Sequence, residues 1–76
     1  MNKKRRAAID AIRTKLEEFA VELEDIQGEE EEYRDNMPEN LQGSERYEKA
    51  DEAATAIGDA ISSIEEAVQY LDTACE

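Results

Sequence analysis

Histidine is absent from this 76-residue chain, and cysteine and proline occur once each. Without histidine there is no imidazole base, no histidine-dependent triad and no histidine-ligated metal centre. The Glu-x-x-His pair of di-iron helical bundles is excluded for the same reason. The lone Cys75 forms no intrachain disulfide, and nothing argues for an oxidising compartment. The three glycines are scattered, so no glycine-rich phosphate loop exists, and Asp25-Ile26-Gln27-Gly28 lacks the alternating Asp/Asn of a calcium loop. Apolar runs stay far below the roughly 18 residues of a membrane span. The basic start Lys3-Lys4-Arg5-Arg6 leads only to Ala7-Ala8-Ile9 before Asp10 ends any signal-peptide core. The expectation is a soluble, cytoplasmic, non-catalytic protein that needs no cofactor.

What is present is heptad order. Ile9, Ile12, Leu16, Phe19, Leu23 and Ile26 step by alternating three and four, and Tyr33 falls on the next in-phase site. After a single break, Tyr47, Ala50, Ala54, Ile57, Ile61, Ile64, Val68, Leu71 and Cys75 repeat the pattern without an error. A 3.5-residue period keeps one stripe turned toward a partner helix, so the pattern predicts helices packed lengthwise and excludes strands. Cys75 on this seam reads as a small packing residue.

The break runs from Asp35 to Gly43. Pro38 disfavours a helical conformation at Met37, and Gly43 suits a chain reversal. Pro38-Glu39-Asn40-Leu41 is expected to form one helical turn, with Met37 and Leu41 plugging the end of the molecule. Ser44 is a good N-cap for the second helix. These signals predict one all-α domain over residues 1–76, with a helix at about 3–34, a connector at 35–43 and a helix at about 44–74. Two helices of equal length joined by a short connection favour an antiparallel hairpin.

A hairpin alone encloses such seams poorly. Fourteen larger apolar side chains lie on them, counting Met37, and each contributes roughly 1.5–3 kcal/mol when fully buried. On the second helix Ala53, Ala60, Ala67 and Ala74 recur every seven residues beside the seam. That widens the apolar face to three positions per heptad, which suits a helix touching two neighbours. The expectation is a homodimeric four-helix bundle, with Ala53, Ile57, Ala60, Ile61, Ile64, Ala67, Val68 and Leu71 as the self-association residues.

The net charge of −12 is unevenly placed. Residues 1–15 carry six basic and one acidic side chain, and residues 16–76 carry three basic and twenty acidic ones. A chain this acidic is repelled by nucleic acid and by anionic membranes, and basic protein surfaces are its natural partners. The first helix also opposes its own dipole, with Lys3, Lys4, Arg5 and Arg6 at its start and Glu29, Glu30, Glu31 and Glu32 near its end. Folding does not require that crowding. Glu29–Glu32, with Asp35, Glu39, Glu45 and Glu48, are therefore the candidate partner-binding residues. The basic cluster Lys3–Arg6, placed at the free N–H groups of a helix start, is the alternative site, for an anion such as a nucleotide phosphate.

The connector Asp35-Asn36-Met37-Pro38-Glu39-Asn40-Leu41-Gln42-Gly43-Ser44-Glu45-Arg46-Tyr47-Glu48 resembles that of a group of short, acidic helical-hairpin proteins from phages, integrated elements and gut bacteria. The flanking helices share the likeness. The resemblance implies a helical hairpin in a mobile-element setting and carries over no functional residues. It favours a binding protein that inhibits a host defence protein through an acidic surface. A nucleotide-signal sponge and a purely structural assembly module are the alternatives.

Overall fold

The computed structural model describes all residues from Met1 to Glu76. It is all-helical: α1 spans Lys3–Asp35, a single 3-10 turn spans Glu39–Leu41, and α2 spans Glu45–Ala74. The two long helices pack antiparallel as a hairpin that measures 59 × 15 × 12 Å.

Each boundary has a local cause. Asn2 caps α1, its Oδ1 accepting the Arg5 backbone N–H at 2.8 Å. Ser44 caps α2 in the same way, its Oγ accepting from Tyr47 N–H at 3.3 Å, and Glu45 and Glu48 complement the dipole in the first turn. Between the helices, Pro38 (φ −57°, ψ 150°) supplies the carbonyl that accepts from Leu41 N–H at 2.9 Å. Gln42 (φ −68°, ψ 133°) and Gly43 (φ +86°) then make a type II turn, closed by Ser44 N–H on the Leu41 carbonyl at 3.0 Å. Gly43 is the one left-handed residue, and a Cβ there would be strained. Met37 is buried and Leu41 half-buried at this end of the hairpin, so the connector does plug it.

The core is thin. Only Ala20, Met37, Ala50, Ala54 and Ile61 are buried, and none is fully enclosed. The contact face of α2 is the expected seam, from Tyr47 through Ala50, Ala54, Ile57, Ile61, Ile64, Val68 and Leu71 to Cys75, all buried or half-buried.

The contact face of α1 differs from expectation. Its buried and half-buried positions are Ile9, Arg13, Leu16, Ala20, Leu23, Gln27, Glu30, Glu31 and Arg34. The other half of the expected seam, Ile12, Phe19, Ile26 and Tyr33, is left 50–53% exposed. The reason lies in what fits between the helices. Ala20 opposes α2 with a small side chain, and Gln27 reaches across to donate from Nε2 to the Ala54 carbonyl at 3.0 Å. Arg13 and Arg34 reach Asp72 and Asp51 at 3.3 and 2.8 Å. The column Arg13, Ala20, Gln27, Arg34 therefore turns inward together with Ile9, Leu16, Leu23 and Glu30, and the bulkier column beyond these turns out.

Candidate binding faces

Two antiparallel helices lying side by side form a ribbon with two broad faces, and the columns of α1 that flank its contact face define them. On one face lie Asp10, Glu17, Glu24 and Glu31, spaced every seven residues. Glu17 and Glu24 share a groove with Glu65 of α2, and Asp10 shares its end of the same face with Arg13 and Asp72. Asp51, joined to Arg34, completes the row. Seven carboxylates thus run along one side of the hairpin.

Two arginines punctuate that row. Arg34, with its side chain only 20% exposed, bonds Asp35 at 2.9 Å and Asp51 at 2.8 Å. Hydrogen bonds to Asp35, then to Asp51, hold its guanidinium well above the usual arginine pKa. Arg13 bonds Asp10 at 2.7 Å and approaches Asp72 and Glu17 at 3.3 and 3.6 Å. Its pKa is raised chiefly by the Asp10 hydrogen bond, with Asp72 adding to it. Glu24, Glu31 and Glu65 have no cation within ion-pair distance. They are the free acids of this face.

The opposite face is charged at the connector end and apolar beyond it. At the connector end Tyr33 and Ala50 line a shallow groove with Glu30, Glu45, Arg46 and Lys49. Steps of seven away from the connector, backward from Tyr33 and forward from Arg46, give Ile26, Phe19 and Ile12 on α1 and Ala53, Ala60 and Ala67 on α2. One side of the ribbon is therefore charged and the other is a band of exposed Ile, Phe and Tyr beside alanine.

The expected sites distribute unevenly over this frame. Four consecutive helical residues spread around most of the circumference at about 100° each, so Glu29, Glu30, Glu31 and Glu32 share no face. Glu31 joins the carboxylate row, Glu30 lines the groove beside Tyr33 and Glu45, and Glu29 and Glu32 are exposed elsewhere on α1. Asp35 is tied to Arg34, Glu45 receives Lys49 at 3.2 Å, and Glu39 and Glu48 are exposed. The carboxylates that do gather run the length of the molecule. Sequence spacing held that signal: Asp10, Glu17, Glu24 and Glu31 repeat every seven residues, as the alanines of α2 do.

The basic cluster divides for the same geometric reason. Lys3 and Arg6 line a groove whose other members include Asp10 and Asp72, while Lys4 and Arg5 fall on other faces. Asn2 already occupies one N–H of the helix start. Asp72 and Glu76, at the end of α2, make no ion pair with this cluster, and Asp72 pairs with Arg13 instead. Among the expected self-association residues, Ile61 is buried inside the hairpin. Ile57, Ile64, Val68 and Leu71 are half-buried, as are Ala53 and Ala67, and Ala60 is exposed.

No group of Cys, Asp and Glu side chains gathers as a metal site, and no helix is long and apolar enough to cross a membrane. Comparison with protein-family models, curated proteins and solved structures gives no match to the chain. Function has to be read from the two faces.

Proposed function

We propose that this chain is a non-catalytic interaction protein that occupies a basic surface of a partner protein with its carboxylate-lined face. The row of Asp10, Glu17, Glu24, Glu31, Asp51, Glu65 and Asp72 carries the reading, because Glu24, Glu31 and Glu65 in it are left without internal partners. Charges of one sign on a rigid rod steer an oppositely charged partner and set the register of docking. In the phage setting implied by the connector's resemblance, the partner is a host defence protein whose nucleic-acid or substrate groove is basic, and occupation of that groove is inhibition.

The test is affinity capture from the host extract with wild-type chain and with the triple variant Glu24→Gln, Glu31→Gln, Glu65→Gln. Wild type should retain a protein partner at low salt and release it as ionic strength shortens the Debye length below about 8 Å. The triple variant should retain much less. Capture that survives the triple variant but is lost on Lys4, Arg5 and Arg6 substitution would move function to the basic helix start and to a phosphorylated ligand.

A further inference from the structure

The apolar face has no internal partner. Ile12, Phe19, Ile26 and Tyr33 are each half exposed on a single straight column, and the exposed Ala60 and half-buried Ala53 and Ala67 flank it on α2. A broad face of the ribbon measures about 59 by 15 Å, on the order of 900 Å², beside the roughly 800 Å² that each partner gives to a standard protein interface. We propose that this face is covered by a second copy of the chain, stacked face to face and running antiparallel, with α1 against α1 and α2 against α2.

Charge selects both the occupant and its direction. Residues 1–15 carry a net charge of +5, and residues 29–52, around the connector, carry −7. A second copy running parallel would set tip against tip and base against base. An antiparallel copy sets each basic start beside the other's acidic connector. Along α1, Lys15 comes level with the partner's Glu29 and Glu30. Glu22 meets its own copy at the centre, the one unfavourable pair on this edge.

The register closes on itself. A two-fold axis at the middle of the α1 column pairs Ile12 with the partner's Tyr33 and Phe19 with the partner's Ile26, so it passes between residues 22 and 23. The column of α2 on this face, Arg46, Ala53, Ala60, Ala67 and Ala74, is centred on Ala60. Within one hairpin, the contacts Gln27–Ala54, Arg13–Asp72 and Arg34–Asp51 place residues 22–23 level with a point near residue 60. One axis therefore serves both helices. The bulky pairs fill the interface between the first helices, and the alanines let the second helices approach closely. The carboxylate faces are left on the two outer sides of the resulting four-helix bundle, so the assembly is bivalent for whatever basic surface they meet.

Sedimentation equilibrium at micromolar concentration should give twice the 8.6 kDa chain mass. Phe19→Glu should abolish the dimer. Val21→Glu is the control, because Val21 is as exposed as Phe19 but lines the opposite face, and that variant should remain dimeric. Direction is read by a nitroxide on Lys4→Cys in a Cys75→Ser background. Antiparallel copies place the two labels about 55 Å apart at 1.5 Å per residue, and parallel copies bring them to the same end of the bundle. A monomeric wild type, a dimer that survives Phe19→Glu, a dimer broken by Val21→Glu, or labels at one end would each overturn the proposal. Circular dichroism of Phe19→Glu shows whether the hairpin stays helical alone, and the control variant keeps the test decisive if it does not.

Discussion

Gly58→Ala should be nearly neutral, although the same change at Gly28 should stabilise the protein. In an ordinary exposed helix position alanine gains about 1 kcal/mol over glycine. Nothing lies within 4 Å of a Cβ added at Gly28, so that gain is collected there. A Cβ at Gly58 would stand 2.6 Å from Gln27 Nε2, the atom that donates to the Ala54 carbonyl at 3.0 Å. The amide must leave. Its hydrogen bond contributes roughly 0.5–1.5 kcal/mol net, which offsets the propensity gain. The assay is thermal unfolding by circular dichroism at one protein concentration, where 1 kcal/mol moves Tm by about 4–8 °C for a domain of this size. Gly28→Ala should raise Tm by several degrees and Gly58→Ala by at most a degree or two. In a Gln27→Ala background the contact is already gone, and Gly58→Ala should recover its full gain. If Gly58→Ala stabilises wild type as much as Gly28→Ala does, Gln27 is not held where the structure places it, and the inward turn of its column loses its main support.

Two further outcomes follow from burial and charge. Ile61→Asp puts an unpaired carboxylate at a buried point between the helices and should cost several kcal/mol, seen as loss of helical signal at temperatures where wild type is folded. Replacing Glu29, Glu30, Glu31 and Glu32 by Gln should raise or preserve Tm, since it removes like charges from the negative end of the helix dipole. Of these four only Glu31 lies on the carboxylate face, so the quadruple change should weaken partner capture less than the Glu24, Glu31, Glu65 triple does.

Periodicity alone was enough to read two helices, their break and their antiparallel return. The reason is local: a 3.5-residue apolar period, a proline, a glycine and a capping serine each act within one or two turns of the chain. The plug formed by Met37 and Leu41 was legible on the same grounds. The direction in which α1 faces was not. Ile9, Ile12, Leu16, Phe19, Leu23 and Ile26 read as one stripe, yet α2 accepts only one edge of it. That choice depended on Ala20, on the opening at Gly58 that admits Gln27, and on Arg13 and Arg34 finding Asp72 and Asp51 across the groove. These are contacts between residues 17 to 59 positions apart, and no pattern within one helix encodes them. The same rotation decided the candidate sites. Once the inner column was set, Asp10, Glu17, Glu24 and Glu31 were carried to one face and Ile12, Phe19, Ile26 and Tyr33 to the other. The crowd of glutamates at 29–32, conspicuous in sequence, was dispersed by the 100° turn between neighbours. The sequence by itself determined what the helices are and where they end. Only the tertiary packing decided which of their columns meet each other and which are left for a partner.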